Sequence, residues 1–105
     1  MAIFEYLAKI KASPGMYVGG DVDSRDLHQL ETLVYGYLGA LREHGIIEEV
    51  DDFMRTFGSF VYRRTGWSTS CGVASAITSN TETPRMAWDL FWVYMAEFEA
   101  EVRKN

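Results

Sequence analysis

A chain of 105 residues carrying a net charge of −5, from 15 acidic and 10 basic side chains, has the length of one domain. It is too acidic, and its cations too dispersed, for a direct binder of nucleic acid. A hydrophobic share of 48% and an aromatic share of 14% exclude intrinsic disorder, and no apolar run reaches the roughly 20 residues that span a bilayer.

Ile3, Phe4, Leu7 and Ile10 fall on one face at helical spacing, which predicts a helix over residues 2–12. Ser13-Pro14 ends it, because the residue before proline is pushed out of the α region. Pro14-Gly15 and Gly19-Gly20 mark a turn-rich loop. Asp23 or Ser24 is the expected N-cap of the second helix, with Asp26 in its first turn. Leu27, Leu30, Val34, Leu38 and Leu41 form that helix's apolar stripe, and Gly45 after His44 reads as its C-terminal cap. A third helix is predicted from about Glu48 to Arg64, buried through Val50, Phe53, Met54, Phe57 and Val61, with carboxylates at its N-terminus and Gly66 as its stop. Residues 67–79, WSTSCGVASAITS, suit a short helix through Val73, Ala74 and Ile77, or a strand. Thr83-Pro84 is an N-cap and N1 pair for a last helix over 84–103. That helix is apolar almost all round from Met86 to Met95, which predicts the central, most buried element. The expected architecture is all-α: a compact bundle of four to five helices with a buried aromatic C-terminal helix, in a single domain over 1–105.

The run PGMYVGG followed by Leu27-His28 resembles the start of the ATP-binding domain of gyrase-type ATPases. In that family a Pro-Gly-Met-Tyr-Ile-Gly segment leads into a helix bearing a catalytic Glu and a magnesium-holding Asn. Aligned on Leu27-His28, Leu33 and Tyr37 stand at those two positions, and neither serves as a base or a hard metal ligand. The loop also lacks the Gly-Lys-Ser or Gly-Lys-Thr ending of a P-loop. It reads as a connector whose Met16 and Tyr17 tuck apolar surface back onto the helices.

Cys71, His28 and His44 have no spacing that signals a nucleophile and its base. His44 suits the negative end of a helix dipole, and Cys71, beside Gly72 and Val73, reads as a small buried hydrophobe. As the only cysteine, Cys71 forms no internal disulfide, which fits a reducing cytoplasm. The opening MAIFEYLAKI carries Glu5 within its apolar stretch and no basic segment, so no signal peptide is expected. One Cys and two distant His make a poor metal set, and the acidic run 48–52 lacks a calcium-loop pattern. No catalytic, cofactor-binding or metal-binding residue is therefore expected. Trp67, after a helix-ending glycine, fits a core position and an interface anchor equally.

Across nearly its whole length the chain resembles small bacterial immunity proteins of polymorphic toxin and contact-dependent growth-inhibition systems. The resemblance rests on the Pro-Gly-Met-Tyr-x-Gly turn at Pro14 to Gly19, and on LETLVYGYLGAL, FGSFVYRRTGW and AWDLFWVYMAEFEAE in that order. It implies a cytoplasmic, non-enzymatic, monomeric inhibitor that binds a cognate toxin domain, such as a tRNA-cleaving RNase, and covers its active site or substrate surface. A nuclease cleft is basic, so an acidic face is the complementary inhibitor surface. The candidate toxin-binding residues are Glu48, Glu49, Asp51 and Asp52, then Asp21, Asp23 and Asp26, with Trp67 as an anchor. The competing reading of both acidic clusters is solvated helix-capping charge. The alternative functions are a non-catalytic oligomeric scaffold and a degenerate nucleotide-binding domain.

Overall fold

A computed structural model describes residues 2–48 and 50–104. Five α-helices, and no strand among the described residues, pack around one apolar core.

Helix α1 (Ala2–Ala12) buries Ile3, Phe4, Leu7 and Ile10, the face its spacing defines. A single 3₁₀ turn at Pro14–Met16 follows, in which the Pro14 carbonyl accepts from both Tyr17 N (3.0 Å) and Val18 N (2.9 Å). This turn reverses one expectation about the loop. Met16 is 82% exposed, and the apolar contact falls to Val18, which is buried, and to Tyr17, which is half-buried against Tyr6. Three successive residues in so tight a turn cannot all face inward, and the backbone bonds to Pro14 select the last two.

Helix α2 (Leu27–Glu43) starts later than expected. Its N-cap is Asp26, in an extended conformation, whose Oδ1 accepts the His28 amide at 2.9 Å. Ser24 instead closes a turn on Asp21, its Oγ donating to Asp21 Oδ1 at 3.1 Å. At the far end His44 is the C-cap, Gly45 takes φ +70°, and Ile46 N reaches the Leu41 carbonyl at 2.9 Å.

Helix α3 (Phe53–Thr65) begins at Phe53, not near Glu48. Asp52 sits in the left-handed region at φ 47°, which a right-handed helix cannot contain, so Glu48 and Asp51 lie ahead of the helix rather than in it. Gly66, at φ 79°, ends the helix. The segment left open between helix and strand is helical as α4 (Val73–Ser79), burying Val73, Ala74, Ala76 and Ile77.

Helix α5 (Pro84–Lys104) is capped by Thr83, whose Oγ1 accepts the Met86 amide at 3.1 Å. It packs against α2, α3 and α4. Phe98 is its hub, with ring centroids 5.3 Å from Phe57, 5.5 Å from Phe60, 5.6 Å from Phe53 and 6.3 Å from Phe4 of α1. The helix is not buried all round, however. Arg85, Asp89, Val93 and Ala96 lie along an exposed strip, at the three- and four-residue spacing of one helical face.

Candidate functional site

The two positions that carry catalytic groups in the gyrase-type ATPases are packing positions here. Leu33 lies half-buried against the core, and the Tyr37 ring stacks on Tyr6 with centroids 4.1 Å apart and planes 5° from parallel. The PGMYVGG loop is thus fastened by aromatic contacts among Tyr6, Tyr17 and Tyr37, and by Gly19 N–H donating to Gln29 Oε1 at 2.8 Å.

Cys71 is exposed, contrary to its reading as a buried hydrophobe, because it precedes α4 in a turn rather than entering the helix's buried face. His28 lies between a carboxylate and a hydroxyl, with Nδ1 3.4 Å from Asp26 Oδ1 and Nε2 3.2 Å from Ser75 Oγ. The order resembles a hydrolytic triad, but the Asp26 oxygen already accepts a backbone amide as the α2 cap. The amide of Ala74, next to Ser75, is in turn taken by the Glu31 carboxylate at 2.9 Å. Among the described residues no three His, Cys, Asp or Glu side chains are grouped as a metal site.

The two acidic clusters separate once their partners are known. In the loop before α2 every carboxylate is engaged: Asp21 with the Asp23 amide (3.0 Å) and Ser24, Asp23 with Arg85 (3.2 Å), Asp26 with His28. The bonds from the Asp23 amide and from Ser24 lower the Asp21 pKa below the ordinary 3.8. Glu48 is also committed, since its Oε1 accepts the Ile3 amide at 2.9 Å and so caps α1 from 45 residues away. Glu49 lies outside the described residues. Asp51 and Asp52 remain exposed, and the nearest cation to Asp52 is Arg55 at 4.0 Å.

Between α2 and α3 these two carboxylates adjoin a feature that the sequence reading missed. Ile47 is 94% exposed, and Ile46 and Tyr35 are more than half exposed beside it. Together with Leu38, Val50 and the Asp51-Asp52 pair they line a depression of about 470 Å³. Burial, and then the carboxylates of Glu31 and Asp52, push the Tyr35 phenol above its ordinary pKa. Two isoleucines directly after the helix-ending Gly45, outside any helical stripe, were the available signal.

Trp67 is half-buried, its ring edge-on to Tyr94 at 6.1 Å, so it belongs to the margin of the core rather than to this patch. Comparison with protein-family models, curated proteins and solved structures returns no match for this chain.

Proposed function

We propose that this chain is a non-enzymatic immunity protein that neutralises a cognate antibacterial toxin domain, a nuclease with a basic cleft, in the cytoplasm. It docks through the α2–α3 linker. The observation that carries this reading is Ile47, almost fully exposed, flanked by Ile46 and Tyr35 and bordered by the exposed carboxylates of Asp51 and Asp52. An apolar centre with a charged rim is the anatomy of a protein-binding patch. The carboxylates steer a basic partner inward, and the isoleucines supply the area that water leaves. The Asp21, Asp23 and Asp26 loop is the poorer docking surface, because its carboxylates already serve the fold.

The test is to express the chain with a nuclease toxin domain, sought first in the reading frames that adjoin its own, and to measure binding kinetics on the purified pair. Ile47→Ala is expected to raise Kd by about tenfold through faster dissociation. Asp51→Lys is expected to slow association and flatten its salt dependence. A complex whose affinity and salt dependence ignore both substitutions would sink the proposal. A dimer in solution that Ile47→Asp dissolves would replace it with self-association.

A further inference from the structure

A second depression, of about 680 Å³, lies between the segment that joins α1 to α2 and helix α5: Pro14, Val22 and Arg25 line one side, and the exposed strip of α5 lines the other. Its apolar surface is aliphatic. Val22 and Val93 are about half exposed, and Pro14 and Ala96 continue them, while Trp88 and Trp92 form a floor with little exposed area.

Its charge runs against that of the molecule. In a chain of net −5, this groove is lined by three cations, Lys11, Arg25 and Arg85, and two carboxylates, Asp89 and Glu97. The carboxylates have partners: Arg85 lies 4.0 Å from Asp89 and Arg64 lies 2.9 Å from Glu97. Arg85 also holds Asp23 at 3.2 Å. Lys11 and Arg25 have no carboxylate within ion-pair distance among the described residues, although Asp21 is near enough to Arg25 to feel its charge.

Arg25 is the more unusual of the two. Its guanidinium lies over the Trp88 ring, 5.8 Å from the centroid, and makes no hydrogen bond within the described protein. Its Nε is buried without an acceptor, and so is the indole Nε1 of Trp92 in the same groove. Those are the two buried side-chain donors left unpaired among the described residues. Buried polar groups in folded chains are nearly always paired, and an orphan calls for an explanation. Two cations without a carboxylate partner in one groove favour an anionic ligand there.

We infer that the groove is a binding site for an unbranched aliphatic carboxylate. The carboxylate head takes the Arg25 guanidinium, with Lys11 as second cation, and the chain lies along Val22, Val93 and Ala96. The volume is within the range of small-molecule sites. The head group meets the Arg25 guanidinium where it lies over Trp88, so that indole reports the event.

Octanoate is the probe. In a Trp67→Phe background the remaining tryptophans are Trp88 and Trp92, both in the groove, and their emission is followed during titration. A saturable change with octanoate is expected, with octan-1-ol needing about tenfold more, the worth of one charge-assisted hydrogen bond. Arg25→Met, which keeps an apolar stem over Trp88, should raise the octanoate midpoint by about tenfold at an unchanged melting temperature. The absence of saturation, equal binding of the alcohol, or an Arg25→Met variant that melts normally and binds octanoate as before would each overturn the assignment. Calorimetry on the unsubstituted chain checks that any signal is binding and not quenching; no heat alongside a fluorescence change also overturns it.

Discussion

Glu31 of α2 holds the start of α4: its Oε2 accepts the Ala74 amide at 2.9 Å, while its Oε1 lies where a side chain on Gly72 would begin, 2.9 Å from that Cβ position. Gly72 has φ +101°, a region that L side chains avoid. A seven-residue helix is too short to persist alone. It exists here because a carboxylate from another helix satisfies an N-terminal amide, and because Val73, Ala74, Ala76 and Ile77 are buried.

Glu31→Ala is therefore expected to destabilise the fold by about 1–2 kcal/mol, and Glu31→Gln by less. Gly72→Ala should cost about 1–3 kcal/mol from strain and contact with the carboxylate. The two losses should not add, since removing Glu31 relieves the contact at Gly72. Denaturant melts of both single variants and the double variant measure the coupling; strict additivity would contradict the geometry.

Glu48 makes the same kind of long-range cap, on Ile3 of α1. Glu48→Ala should lower stability by about 1 kcal/mol, with hydrogen exchange speeding up first at the α1 N-terminus. A charge reversal at Glu48 would disturb the fold as well as any docking surface, so it is a poor probe of partner binding. Exchange unchanged in α1 would refute the cap.

Phe98 touches four other phenyl rings, from α1 and α3. Phe98→Ala should cost about 3–5 kcal/mol, a large part of the 5–15 kcal/mol typical of a domain. Phe98→Leu, which keeps most of the volume, should cost about 1.5 kcal/mol or less. Chemical denaturation distinguishes the two.

Two groups predict opposite pH limits. The Asp21 pKa is lowered in the fold, so its contribution is present above the ordinary 3.8 and is lost as pH falls through the lowered value. Melting curves of the parent and Asp21→Asn should therefore differ at neutral pH and converge in acid. Tyr6 has its pKa raised, by burial and by Tyr17 and Tyr37, so its contribution is full below 10.0 and is lost as pH rises through the raised value. Against Tyr6→Phe, the parent should lose stability selectively above that pH, and parallel curves would count against the stacked arrangement.

Most of the secondary structure was legible from spacing and punctuation. Ile3, Phe4, Leu7 and Ile10 defined α1, Gly45 and Gly66 ended two helices, and Thr83-Pro84 opened α5. These signals are local: a side-chain period and a backbone preference act within one or two turns. The starts of α2 and α3 were misplaced because several Asp, Ser and Glu residues could each have capped them. Only the three-dimensional arrangement assigned Asp26 to α2 and Glu48 to α1.

The candidate surfaces divide in the same way. Sequence supplied the net negative charge and the acidic clusters, but a carboxylate's availability depends on what it already bonds. Asp21, Asp23, Asp26 and Glu48 are committed to amides, a hydroxyl or Arg85, while Asp51 and Asp52 border an exposed Ile47. Nor does residue order reveal that Arg25 lies over Trp88, 63 positions further along, with a donor left unpaired. By itself the sequence determined the helical class and the apolar stripes, because those follow from short-range periodicity. Tertiary structure alone decided which charges are spent within the fold and which stay exposed, because that depends on residues brought together from distant parts of the chain.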